Sequence, residues 1–373
     1  MRNPIAGWLL FCLCVMFQVE GARGADVVAL APCDISISGV LEAGDSADLK
    51  QLLHDAPCSY STVRLDSPGG SLSEALEIAE SFFRTKTIIG DGDECLSACA
   101  ILFMTGRACS GAPQTCNPLR EMHKTATLGF HAPFLEASGG DVLAPRDVSF
   151  SQAASVFAEI LDRLAGISAE VRMTGYDKDI IPSDLLTRIF VTPPEEFYLV
   201  ETNDQFFSWD IDLVEDEAKP GEPALTETQV HEMCETLVTY EMMGWSYANG
   251  EPGGSGDAPT VHDDSASRLL TRKLDTSNLP DDVNPNAVEY LLRLDQLALP
   301  IYWVSGWCHV TPSPWHGGHF QVSFRGDFGD VAPDFDTGKD WSHLPAASLS
   351  FDRGMHYSMA LPLGTPVRSV SLR

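Results

Sequence analysis

The sequence predicts an α/β domain followed by a smaller α+β domain, and three observations carry that reading. Short apolar β runs alternate with helical periodicity between Ser61 and Met104. Around Val214 to Leu225 the composition turns to Glu, Asp, Lys, Pro and Gly, as a linker does. From about Pro300 onward apolar and polar residues alternate among aromatics and turns, which favours β structure. With 373 residues, 44% of them hydrophobic, the chain is long enough to bury two cores.

The elements of the first half follow in order. Thr62-Val63-Arg64-Leu65 is a β run, and the turn Asp66-Ser67-Pro68-Gly69-Gly70 leads to a helix from Ser71 to about Phe83. Leu72, Leu76, Ala79 and Phe83 recur there every three or four residues, so one face is buried. A second β run, Thr87-Ile88-Ile89-Gly90, leads through Asp91-Gly92-Asp93-Glu94 to an apolar helix from about Leu96 to Met104. Strand, helix, strand, helix is a right-handed crossover unit. Ala108 to Ala126 reads as a Gly/Pro-rich loop and Leu128 to His131 as a strand. Helices are expected over Val148 to Leu164 and Pro182 to Ile189, and a last strand over Tyr198 to Val200. In the second half, helices are expected over Thr226 to Met243 and Ala287 to Ala298, with a Gly/Pro loop between Asn249 and Pro259.

Charge and cysteines bear on location. A net charge of −29 repels nucleic acid and anionic lipid, so neither is expected as a partner. Residues 1–24 read as a signal peptide: one Arg, an apolar stretch from about Ile5 to Phe17, then Ala22-Arg23-Gly24, with cleavage expected after Gly24. The mature domains are then 25–215 and 226–373, in the periplasm or outside the cell. Without Cys12 and Cys14, Cys33, Cys58, Cys95, Cys99, Cys109, Cys116, Cys234 and Cys308 remain, an even set that predicts disulfides in an exported protein. Spacing favours Cys109–Cys116 across a loop and Cys33–Cys58, with Cys234 and Cys308 pairing by elimination within the second half.

Three strings carry the chemistry: Leu65-Asp66-Ser67-Pro68-Gly69-Gly70, Cys95-Leu96-Ser97-Ala98-Cys99-Ala100 and Gly129-Phe130-His131-Ala132-Pro133. Each falls at a predicted strand end or helix start, and together they describe a serine hydrolase site. Ser97 begins a helix, where free N–H groups favour negative charge on an attacking oxygen, although Ser is also a common N-cap there. Gly69 and Gly70 let backbone N–H groups approach a substrate carbonyl; with Ala98 N–H they would form an oxyanion hole, although Pro-Gly-Gly equally serves a plain turn. A serine hydroxyl needs a base of pKa near neutrality, and His131 supplies the imidazole. Other histidines and acids give weaker patterns. Asp334 to Asp340 has part of a calcium-loop rhythm without its remaining ligands, and His309, His316 and His319 read as turn and surface histidines, so neither a metal nor another cofactor is expected.

From about Cys33 to Leu213 the three strings, in this order, resemble the proteolytic subunit of Clp protease and its relatives in the crotonase-like superfamily, above all exported Clp-like proteins with cysteines around the serine. The resemblance implies a repeated β-β-α fold, Ser97 as nucleophile, His131 as base, and Gly69, Gly70 and Ala98 as oxyanion donors. It also implies a peptide or protein substrate and a possible homo-oligomer. The ATP-driven unfoldase of that family is not expected as a partner, because no ATP pool exists outside the cytoplasmic membrane. The family's acid precedes a string similar to Ile189-Phe190-Val191-Thr192-Pro193-Pro194-Glu195, yet here Arg188 stands in that place. Asp184 is the nearest upstream carboxylate and the expected third member of the triad, with a backbone carbonyl or Asn203 as alternatives. Two rival readings are an inactive scaffold of the same fold and a Ser-Lys hydrolase using Lys86 or Lys124.

Overall fold

In the computed structural model the described residues are 24–55, 59–110, 115–133, 155, 158, 160–167, 180–215, 223–243, 268–275, 277, 279, 280, 283–299, 302–314, 318–328, 332, 344, 347, 349–356, 358 and 366–369. Period-2 burial makes the first strands: Ile35, Ile37, Val63 and Leu65 face inward, while Arg64 turns out to a salt bridge with Asp34. They lie in β2 (Asp34–Ser38) and β3 (Ser61–Asp66), which pair in parallel; β1 (Asp26–Ala31) pairs antiparallel to β2. The crossover from β2 to β3 runs through α1 (Asp45–Asp55). Ser71 caps α2 (Leu72–Ala79) by accepting a hydrogen bond from Glu74 N, and the chain returns as β4 (Arg84–Ile89), parallel to β3. Then come β5 (Glu94–Leu96) and α3 (Ala98–Met104), whose seven residues are all buried.

The stretch expected as a loop is instead β6 (Arg107–Ser110), β7 (Thr115–Pro118) and β8 (Arg120–His123), followed by β9 (Thr127–Phe130). Cys109 lies opposite Cys116 across the antiparallel β6–β7 pair and is bonded to it. Pairing closed by a disulfide needs little apolar alternation, so the sequence pattern gives no sign of it. Residues 160–167 form α4, with Ile160, Leu164 and Ile167 buried. After it come α5 (Ser183–Val191), β10 (Tyr198–Leu199), α6 (Asn203–Ser208) and β11 (Asp212–Val214).

These strands form two sheets. The larger has eight strands and contains the parallel series β2, β3, β4, β8 and β11; the smaller has the order β10-β9-β5. The chain repeatedly gives a strand to the large sheet and the next few residues to the small one. Ser67, just after β3, bridges to Cys95 of β5; β5 follows β4; β9 follows β8.

In the second half α7 (Glu227–Met243) packs against a five-stranded antiparallel sheet of β12 (Arg268–Lys273), β13 (Val288–Leu299), β14 (Tyr302–Pro312), β15 (His319–Phe328) and β16 (Leu349–His356), paired in that order. Val230, Met233, Leu237 and Val238 meet Tyr290, Leu292, Val310 and Phe324 in one core, and a Cys234–Cys308 disulfide ties helix to sheet. The helix expected over Ala287 to Ala298 is therefore a strand. Tyr290, Leu292 and Leu294 bury one face in this core, and Leu291 is buried on the other against Trp307, so a strand apolar on both faces imitates a helix. His309 and His319, expected in turns at the surface, are instead buried in β14 and β15: His309 Nε2–H donates to the Glu289 carboxylate at 2.8 Å, and His319 meets His356 edge-on; Asp334 to Asp340 and His316 lie outside the described residues.

The two halves of the chain touch, with Phe207 of α6 lying in the second core. The Arg353 guanidinium lies 3.8 Å from the Phe207 ring centroid and 5.0 Å from that of Tyr240 and pairs with Asp210; Asn203 Nδ2 donates to Ser358 O at 2.7 Å. Among the described residues no helix is long and apolar enough to cross a membrane, and the disulfides are compatible with an exported protein. Cys33 is also disulfide-bonded, while Cys58 and the expected signal segment through residue 23 lie outside the described residues. Peptide mapping of the native, unreduced protein is expected to recover Cys95–Cys99, Cys109–Cys116 and Cys234–Cys308 as linked pairs. Alkylation of any of these six before reduction contradicts the fold.

Candidate active site

Strand register brings the three strings together. In the parallel β5–β9 pair, Cys95 lies opposite Leu128 and Leu96 opposite Gly129, and Ser97 N donates to Gly129 O at 2.9 Å. Ser97 thus leaves the carboxyl end of one strand and His131 the carboxyl end of its neighbour. Ser67 joins from the other side, donating to Glu94 O at 2.7 Å and accepting from Leu96 N at 3.0 Å, which sets Pro68-Gly69-Gly70 beside Ser97. Sites in α/β folds gather at such carboxyl ends because side chains leaving adjacent parallel strands project into the same space.

Ser97 has φ 56° and ψ −122°, a conformation sparsely populated for any residue with a Cβ. Its hydroxyl makes no capping hydrogen bond, although Ser97 occupies the N-cap position of α3. The N-cap reading is set aside by that observation. A sharp strand-to-helix turn of this kind holds a side chain up from the backbone and exposes it. Gly69 makes room for it: a Cβ at Gly69 would come within 2.7 Å of both Leu96 O and Ser97 Cβ.

The two glycines differ in role. Gly69 N–H donates to Ser67 Oγ at 3.1 Å, so it is not the free oxyanion donor that the sequence suggests. Gly70, at φ 134°, lines the cavity together with Ser97 and Ala98. Gly70 is itself wedged against Leu41, whose backbone bridges to it, so its amide is fixed in place.

His131 is buried and rests edge-on against Phe197, with ring centroids 5.1 Å apart. Its Nδ1 is 2.8 Å from Ala132 O. A carbonyl only accepts, so Nδ1 carries the proton and Nε2 is left as the basic nitrogen. Ala132 N in turn donates to Thr192 O at 2.9 Å, which ties the imidazole's own backbone to the segment Ile189 to Glu195.

Asp184, expected as the triad carboxylate, is engaged elsewhere. Asp184, in the first turn of α5, accepts a hydrogen bond from Trp209 Nε1 at 2.9 Å and is not hydrogen-bonded to His131. Asn203 is engaged with Ser358. The guanidinium of Arg188, where the resemblance leads one to expect an acid, lies over the Tyr198 ring, 5.6 Å from its centroid. Of the three orienting groups the sequence allows, the backbone carbonyl is the one in contact. Lys86 pairs with Glu121 and Lys124 with Glu215, and neither lysine lines the cavity that holds Ser97.

That cavity has a volume of about 920 Å³. Its walls include Leu41, Ile101, Ile160, Leu164, Ile189 and Phe190, with Glu42 as a charged group at its edge. Ser97 and His131 both face it without a hydrogen bond between their side chains. Such bonds are often long before substrate is present and tighten in its complex. No protein-family model matches the chain, and no curated protein matches its sequence. The arrangement of groups around this cavity is then the ground on which function is argued.

Because Asp184 serves the Trp209 indole and not His131, Asp184→Asn, which keeps an acceptor oxygen, is expected to leave the reactivity of Ser97 within about threefold of wild type. Asp184→Ala leaves the indole N–H without its partner and is expected to cost about 1–2 kcal/mol of stability in a urea titration. A large loss of Ser97 reactivity in Asp184→Asn at unchanged stability would restore Asp184 to the triad.

Proposed function

We propose that this chain is an exported serine peptidase of the crotonase/Clp type that hydrolyses peptide bonds, without ATP, through an acyl-enzyme on Ser97. The single observation that carries the reading is the meeting of Ser97, held at φ 56° with an uncapped hydroxyl, and His131, with Nε2 as its basic nitrogen, at the ends of adjacent parallel strands on one apolar cavity. The repeated passage of the chain from large sheet to small sheet to helix supports the family part of the proposal, as do the three strings themselves.

The chemistry follows from the groups in place. Nε2 of His131 takes the Ser97 hydroxyl proton as Oγ adds to the substrate carbonyl carbon. The oxyanion accepts hydrogen bonds from Gly70 N–H and Ala98 N–H, and the imidazolium returns its proton to the departing amine. Water, deprotonated by the same Nε2, then releases the acyl group and restores Ser97. Throughout, Nδ1–H donates to Ala132 O, which fixes the tautomer. The apolar walls suit an apolar side chain next to the scissile carbonyl. With no unfoldase, cleavage falls on accessible segments of peptides or proteins.

A fluorophosphonate tests this directly. Wild type is expected to be phosphonylated at Ser97, Ser97→Ala not at all, and His131→Ala about 10²- to 10⁴-fold more slowly than wild type, with the melting temperature of each variant near that of wild type. Wild type that never labels between about pH 6 and 9, with its disulfides intact, leaves the inactive-scaffold reading in its place.

A further inference from the structure

Cys95 and Cys99 flank Ser97 and are bonded to each other. Cys95 belongs to β5, where it is held by Leu128 of β9 on one side and by the bridge to Ser67 on the other. Cys99 lies in the first turn of α3, every residue of which is packed in the core. Both cysteines have no exposed surface. The disulfide therefore joins a strand anchored on both edges directly to a buried helix, leaving only Leu96, Ser97 and Ala98 to make the turn between them. That three-residue turn contains Ser97 at φ 56° and Ala98, the first residue of α3, to which the reading above gives the roles of nucleophile and oxyanion donor. The other two described disulfides lie elsewhere: Cys109–Cys116 closes the β6–β7 hairpin, and Cys234–Cys308 ties α7 to β14.

We propose that the Cys95–Cys99 disulfide is the positioning device of the nucleophile, so that Ser97 becomes reactive only in the oxidised chain. The inference rests on the hydrolase reading above and deepens it with a form of control. With the bond closed, β5 and α3 cannot slide relative to each other, and the three linking residues have no relaxed alternative. With the bond open, Ser97 is free to leave its sparsely populated conformation, which moves both Oγ and Ala98 N–H away from the positions that one substrate carbonyl requires. Opening takes two electrons and two protons from a dithiol: the sulfur–sulfur bond breaks, Cys95 and Cys99 become thiols, and the dithiol becomes a disulfide. Because both sulfurs are buried, the exchange requires local opening of the elbow. The bond thus acts as an assembly lock: a chain kept reduced before export holds an inactive serine, and after export thiol–disulfide exchange with an oxidising disulfide, which takes the two electrons and two protons and leaves as a dithiol, completes the site.

The test compares wild type with Cys95→Ala/Cys99→Ala and, as a control, Cys109→Ala/Cys116→Ala, using saturation kinetics of fluorophosphonate labelling and hydrogen–deuterium exchange on the same proteins. In the Cys95/Cys99 variant the maximal labelling rate is expected to fall about 10²-fold at an unchanged half-saturating probe concentration, because the cavity walls are intact; the control is expected to keep both values. Amides of residues 96–101 are expected to exchange faster in that variant alone. A maximal rate equal to wild type, or unchanged exchange over 96–101, overturns the proposal. Faster exchange together with a wild type that never labels overturns the hydrolase reading while the positioning role of the disulfide stands. Should the double variant not fold, wild type reduced with a water-soluble phosphine decides. Labelling is expected to fall as Cys95 and Cys99 become alkylatable and to return on reoxidation, and labelling that persists in the reduced chain overturns the proposal.

Discussion

The parallel pairing of β5 with β9, in which Leu96 lies opposite Gly129, is the constraint on which the candidate site depends. It places Ser97 and His131 within one residue of the same level at the end of the small sheet, each one step past the last paired residue of its strand. The Ser67 bridge to Cys95 adds a third strand end at that level and delivers Gly69 and Gly70. A slip of one residue in this register turns every side chain to the opposite face. Gly129 adds to the close packing here: a Cβ there would meet Leu96 Cδ2 at 2.8 Å and Leu199 Cδ2 at 3.0 Å, so a larger residue would make those two leucine side chains shift.

Around this frame the chemistry proposed for the site draws on backbone groups. Gly70 and Ala98 offer amides, and Ala132 offers the carbonyl that holds the imidazole. A carbonyl that accepts from Nδ1–H orients the His131 ring. Arg188, stacked on Tyr198, occupies the sequence position where the resemblance leads one to expect the acid.

Much of this was legible in the residues. Ser97, His131 and Gly70 stand at element ends that apolar periodicity identifies, because Val63, Leu65, Leu128 and Phe130 are buried in a period of two up to the turn. Asp184 was not legible: its spacing from the Ile189 string says nothing of which face of α5 it occupies, and the indole of Trp209 is 25 residues away. Gly69 was misjudged for a related reason, since the hydroxyl that takes its amide belongs to Ser67, two residues before it, in a turn whose local bonding composition does not reveal. The Cys95–Cys99 bond joins residues four apart across a strand-to-helix junction, a separation that spacing rules for loops pass over. In the second half, β13 is apolar on both faces, and no periodicity separates such a strand from a helix.

The central claim is that Ser97 forms a covalent acyl bond through its hydroxyl, and the most direct measurement is the intact and peptide mass of the oxidised protein quenched after mixing with an activated ester of an apolar acyl group. One acyl group per chain, carried on the peptide that contains Ser97 and absent from Ser97→Ala, is the predicted result. A chain that stays unmodified, or that carries the acyl group on a residue other than Ser97 in both proteins, contradicts it.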